Sequence, residues 1–197
     1  MNKPYIGAAD RNKEAIFKVL KPFLHTGEKL LEIGSGTGQH GVYCCERLPH
    51  LQWQPTELEY NIHGIRQWIA DSQARNILDP LVLDVTSYNW RQRSYDFVFT
   101  SNTAHYMSWS NVTSMFAGVS STLTDSGLFF IYGPFHRLGF PVSDGNKKVD
   151  EWLQEQSLEF RIRSIDELEN LGGEFDFRLE HSFRMPANNY ILVFCCR

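Results

Sequence analysis

The chain has 197 residues, 42% of them hydrophobic and 21% charged, a balance that suits one folded domain over 1–197 and excludes a disordered segment. A net charge of −4 argues against a nucleic-acid-binding surface, and the small basic spots at Arg91 with Arg93 and Lys147 with Lys148 read as solvated surface. No apolar run approaches the roughly 20 residues of a membrane span and no apolar signal core opens the chain, so the expectation is no membrane partner and a cytosolic or nuclear location.

The first predicted element is a helix over 8–24, with Ala15, Ile16, Val19, Leu20 and Phe23 at helical spacing and Asp10 as its expected N-cap. Arg11 and Asn12 at its start either reach a ligand or form an ordinary surface helix start. The run 29–33 is apolar, carries Glu32, and is followed by Gly34, Gly36 and Gly38 at every second position. Such a run reads as a buried parallel strand ending in a sharp turn that a ligand can approach closely. A helix over 39–48 would aim its free N–H groups back at that ligand. Cys44 and Cys45 lie in this helix and Cys195 and Cys196 near the end. Two adjacent pairs match neither a metal knuckle nor a disulfide framework, so four reduced thiols and no metal are expected.

Strands follow over 51–57, ending in Glu57 with Glu59 as a competitor, then 80–85 with Asp84 near its end, 95–100 and 128–132. Helices are predicted over 62–69 and 112–123 between them. After Phe135 the alternation breaks. Residues 136–148 form a polar loop, a candidate substrate lid, and helices over 149–156 and 165–171 come next. The last strands, 175–183 and 189–196, are separated by 184–188, too short for a parallel crossover, so they pair as an antiparallel hairpin.

The glycine stretch alone fits two cofactors. Gly36, Gly38 and Gly41 match G-x-G-x-x-G with Glu57 about 20 residues on, which keeps an NAD-dependent oxidoreductase open. Glu32 before the first glycine, the E-x-G-x-G-x-G arrangement and the closing hairpin favour S-adenosylmethionine. They point to an α/β protein with the three-layer class I methyltransferase (Rossmann-like) fold. Its seven-stranded sheet would be mostly parallel, with an antiparallel C-terminal hairpin.

At that point the sequence resembles a narrower group. Leu31-Glu32-Ile33-Gly34-Ser35-Gly36-Thr37-Gly38-Gln39-His40, followed by Trp53-Gln54-Pro55, is similar to the methyltransferase-like 26 family, also catalogued as domain of unknown function 938. Arg11-Asn12, Leu83-Asp84-Val85, Asn102 and His105 with Trp109, Tyr132-Gly133-Pro134-Phe135 and Met185-Pro186-Ala187-Asn188-Asn189 extend the match along nearly the whole chain. The chain departs from the family at Glu57, where an aspartate is usual, at Thr103-Ala104 and over 145–150. The resemblance implies S-adenosylmethionine as cofactor, with S-adenosylhomocysteine as product, and a methyl acceptor that is not identified.

Within that reading, Arg11, Glu32, Gly34, Ser35, Gly36 and Gly38 hold the methionine side. Glu57 takes the ribose hydroxyls, and Asp84 with the Val85 backbone reads adenine. Asn102 sits beneath the sulfonium, and His105 is the candidate base, since a neutral imidazole suits proton removal near pH 7. Tyr132 is a third catalytic candidate, and His136 and Asn188 are candidate substrate contacts. The chain lacks an Asn-Pro-Pro-Tyr-type motif, and its negative charge and aromatic-rich second half favour a small-molecule acceptor. An active methyltransferase and a catalytically silent binding module share the same glycine loop.

Overall fold

The central parallel strands are buried on both faces, which is the pattern a sheet covered by helices on two sides requires. In the computed structural model, which describes residues 3–25, 27–87, 89–90, 94–140 and 142–197, β1 (Lys29–Ile33) is the clearest case, with every residue after Lys29 buried. It pairs in parallel with β2 (Gln52–Glu57) on one side and β4 (Tyr95–Ser101) on the other. The sheet runs β3-β2-β1-β4-β5-β8-β7, adding β3 (Leu81–Val82), β5 (Leu123–His136), β7 (Phe177–Met185) and β8 (Asn189–Cys196). β8 is antiparallel to both β5 and β7, so the expected reversed hairpin closes the sheet.

Helices cover both faces. On one, α1 (Gly7–Leu24) and α2 (Gln39–Cys45) pack Leu20, Leu24, Val42 and Cys45 against Trp53, Phe97 and Phe130. On the other, α4 (Trp109–Thr122) and α6 (Ile165–Glu174) enclose Phe129, Phe177 and Phe194 around Phe116. Phe116 meets Phe129 and Phe194 edge to face at 5.3 and 5.5 Å, the arrangement aromatic quadrupoles prefer. α3 (Ile62–Ala70) lies beside α2 and packs Trp68 and Ile69 on the first face. Among the described residues no helix is long and apolar enough to cross a membrane. All four cysteines are free, Cys44 and Cys45 buried and the other two half-buried.

Several boundaries differ from the expected ones, each for a local reason. Ile6, not Asp10, caps α1. Its backbone N–H donates to Gln39 Oε1 at 2.7 Å, and the helix starts at Gly7, which leaves Asp10 in the first turn beside Lys13. β3 keeps only two residues of the predicted 80–85, because Asp84 turns back to accept from Thr86. The predicted lid is shorter than 136–148, since Ser143 accepts from the Asn146 N–H and starts α5 (Asp144–Gln156) there. An additional two-residue strand, β6 (Arg163–Ser164), pairs with the end of β5. Arg91 and Arg93 lie outside the described residues.

Candidate active site

The carboxyl ends of β1, β2, β4 and β5 meet at one edge of the sheet, where open α/β sheets bind ligands. The turn after β1 is built from left-handed residues, Gly34 (φ 68), Gly36 (φ 56) and Gly38 (φ 85). It is tied to β2 by Ser35 N–H to the Thr56 carbonyl at 2.9 Å and by Thr56 N–H to Ser35 Oγ at 3.1 Å. Glu57 completes the tie, accepting from Gly36 N–H at 2.8 Å on one oxygen and from Leu58 N–H at 2.8 Å on the other. A Cβ added at Gly34 would fall 2.7 Å from Thr103 Oγ1, whereas at Gly36 its nearest neighbour is Ile6 Cδ1 at 3.5 Å. The backbone at Gly36 therefore lies bare to the space above it.

That space is a cavity of about 1070 Å³. Of the predicted site residues, Arg11, Gly34, Ser35, Gly36, Glu57, Asp84, Val85, Asn102, His105 and Tyr132 line it. Glu32, Gly38, His136 and Asn188 are not among its lining residues. Gly38 serves instead as the left-handed N-cap of α2, and His136 pairs with Ser164 at the start of the 136–140 turn. Asn188 sits in a left-handed turn (φ 58), with its carbonyl accepting from Asn146 Nδ2, while Pro186, Ala187 and Asn189 face the cavity.

Asn102 ends β4 in the left-handed region (φ 57), held there by its N–H to the Tyr132 carbonyl at 2.8 Å. Non-glycine residues in that region persist only when their surroundings enforce them, and they cluster at functional sites. His105 stands on the short 3-10 turn Ala104–Tyr106, 4% exposed, its ring against Gly133. Its Nδ1 is buried without a hydrogen-bond partner, and burial, then the nearby Arg163, pushes its pKa down to about 4. The imidazole is neutral throughout the physiological range. Burial raises the Tyr132 phenol above its usual value against an opposing hydrogen bond with Asn12, so it keeps its proton and serves as a hydrogen-bonding group rather than a base. Asp84 spends one oxygen on Thr86 N–H and Oγ1 at 2.9 and 2.7 Å, which holds its carboxyl below the ordinary range.

Beneath the loop lies a polar chain through His40, a residue that received no role from sequence. Asn12 Oδ1 meets His40 Nε2 at 2.8 Å, and His40 Nδ1 sits 4.0 Å from Glu32 Oε1. Glu32 is 1% exposed; Trp53 Nε1 donates to its other oxygen at 2.9 Å. The signal was present in the sequence as His40 directly after the glycines, but nothing in spacing alone says that it turns under the loop. Burial raises the Glu32 carboxyl to about 7 and lowers His40 to about 4.

These directions fix a pH dependence. Glu32 is raised in the folded state, so its contribution is complete below the unfolded value of 4.5 and is lost as pH rises through about 7. His40 and His105 are depressed, so theirs is present above 6.5 and lost as pH falls through about 4. Stability should therefore peak near neutrality. Glu32→Gln keeps the acceptor for Trp53 and removes the alkaline loss, stabilising the protein at pH 8 by up to about 3 kcal/mol. Urea melts at pH 5 to 8 check this; a variant whose pH profile matches the wild type would refute the burial of an ionisable Glu32.

Residues 3–195 match the model of a family described as "Protein of unknown function (DUF938)". The chain belongs to the DUF938 family. Among solved structures, this DUF938 protein is similar to human N-acetylserotonin methyltransferase in complex with SAM, with TM-score 0.82 and 12% identity over 96% of this chain and 52% of that one. It is similar to an O-methyltransferase family protein from Burkholderia thailandensis, with TM-score 0.78 and 11% identity over 96% and 59%. A third is PigF with SAH, with TM-score 0.74 and 14% identity over 100% and 63%. The chain thus spans 52% to 63% of the length of these structures. At such identities the likeness shows the fold, which is that of class I methyltransferases, as the element order predicts.

Proposed function

We propose that this DUF938 protein is an S-adenosylmethionine-dependent methyltransferase with a small-molecule acceptor, formed as one domain over 1–197. The observation that carries the reading is the pairing of a bare glycine backbone at Gly36, tied to Glu57, with a neutral buried histidine across the same cavity. The cradle fits the cofactor on its own chemistry. Gly34, Ser35 and Gly36 leave no side chain in the way, Glu57 accepts from ribose hydroxyls as a charge-assisted acceptor, and Asp84 and the Val85 backbone meet the adenine amino group. Glu32 supports the loop from below rather than touching the ligand. When bound, S-adenosylmethionine supplies an electrophilic methyl and leaves as S-adenosylhomocysteine.

The protein's own work is positioning, exclusion of water and handling one proton. Asn102, held in the left-handed region by its N–H to the Tyr132 carbonyl, lines the cavity, and Tyr132 holds its proton and its bond to Asn12. The His105 imidazole accepts a hydrogen bond from an acceptor X–H and, being too weak a base at a pKa of about 4 to keep a proton near pH 7, relays to solvent the proton that transfer releases. A reducing compartment, cytosol or nucleus, suits the four free thiols. The test is incubation of the purified protein with methyl-labelled S-adenosylmethionine and a metabolite extract, beside thermal melts with S-adenosylhomocysteine and NADH. Labelled product and a melting point raised by S-adenosylhomocysteine are expected, because a ligand of the folded state stabilises it. Stabilisation without labelled product would make this a binding module, and stabilisation by NADH alone an oxidoreductase.

A further inference from the structure

The charged residues that line the cavity all come from the first half of the chain. They are Arg11 on α1, Glu57 at the end of β2, which holds the glycine turn, and Asp84 after β3. From Asn102 onward no described lining residue carries a charge at neutral pH, His105 being held neutral. The wall there is made by Tyr106, Met107, Val149 and Phe160, with Asn111 and Asn146 as uncharged polar groups. Tyr106 sits edge to face with Phe160 at 5.9 Å and with Trp152 at 6.1 Å. Tyr106, Val149 and Trp152 remain 44%, 39% and 47% exposed, a cluster of apolar surface at the mouth that folding alone leaves uncovered.

We propose that the methyl acceptor is an uncharged small molecule with a planar ring, seated against Tyr106 and Phe160 with its polar groups on asparagine side chains. The proposal rests on the methyl-transfer reading and specifies its second substrate. A phosphate or carboxylate seated here would meet no cation among the described lining residues, and a protonated lysine or arginine side chain no acid, the Arg163 guanidinium being spent on backbone carbonyls behind the wall. An ion desolvated without a counter-charge binds poorly. A planar ring instead gains the edge and face contacts that the aromatic cluster offers. Volume agrees, since single small-molecule sites run to roughly 1,000 Å³ and this cavity holds a donor and a compact acceptor together.

The test is calorimetric titration of three isosteric probes, 2-naphthol, 2-naphthoate and 2-naphthylmethylammonium, into protein saturated with S-adenosylhomocysteine at pH 7. The neutral probe should bind at least tenfold more tightly than either ion. Val149→Lys, which places a cation in the uncharged half, should shift that preference at least tenfold toward 2-naphthoate. A charged probe within threefold of 2-naphthol, or no binding of 2-naphthol at all, overturns the proposal. If S-adenosylhomocysteine itself fails to bind, the donor reading falls, and the same three titrations into unliganded protein then decide only whether this wall selects an uncharged planar ligand.

Discussion

Gly36→Val should weaken S-adenosylhomocysteine binding by ~100-fold or more while leaving a folded protein, a loss equivalent to about 2.7 kcal/mol. Gly36 has φ 56, and a Cβ there points past Ile6 into the cavity without meeting the core. A branched side chain therefore occupies ligand space and strains the Gly36 N–H bond to Glu57. The left-handed strain itself costs about 1–2 kcal/mol, within the stability of a typical domain. Gly34→Ala supplies the contrast. Its new methyl lies 2.7 Å from Thr103 Oγ1 at φ 68, so that variant should lose melting temperature as well as binding. Thermal melts and calorimetry on both variants separate the two effects. Wild-type affinity in Gly36→Val would mean that the glycine turn is not the cofactor's cradle.

What was legible in the sequence follows from which signals are local. The strand at Lys29–Ile33 and its glycines announce themselves, because a parallel strand covered on both faces is apolar throughout and only glycine tolerates the left-handed turn after it. The hairpin was legible from spacing, since 184–188 cannot hold a crossover. Orientation was not. Glu32 stands at a strand end as Glu57 does, yet the first points beneath the loop to Trp53 and the second joins its rim. A period of two tells faces apart, but not which polar residue the loop then covers. Asn188 turns away because Ala187 and Asn188 both adopt left-handed angles, a reversal no residue type there announces. The uncharged wall of the cavity was harder still. Tyr106, Val149 and Phe160 come from three separate segments and acquire a common role only when β6 pins the chain to the end of β5. The start of α5 had a signal, Ser143 before a helical run, that a polar Gly-containing loop masked.

Arg163→Ala should be the most destabilising single change around His105 and Phe160, by about 3–5 kcal/mol, because it combines a buried void with orphaned carbonyls. Arg163 is 1% exposed on β6, and its guanidinium donates to the carbonyls of Ala104 at 3.4 Å, Glu159 at 3.0 Å and Met107. No described carboxylate lies within ion-pair distance of it. Its role is thus to satisfy backbone, joining the turn that carries His105 to the segment that carries Phe160. Arg161 N–H to the His105 carbonyl at 3.2 Å reinforces the same junction. For a chain of this size the loss corresponds to roughly 10 °C in melting temperature. Arg163→Lys should recover only part of it, since a single ammonium cannot span three acceptors. A second readout separates positioning from bulk stability. Arg163 is one of the two causes that hold His105 down to about 4, so Arg163→Gln should raise the His105 pKa toward its ordinary 6.5, followed by NMR titration of the ring protons. An unchanged His105 titration in a folded Arg163→Gln would show that the guanidinium does not act on the imidazole at all, and would leave burial as its sole restraint.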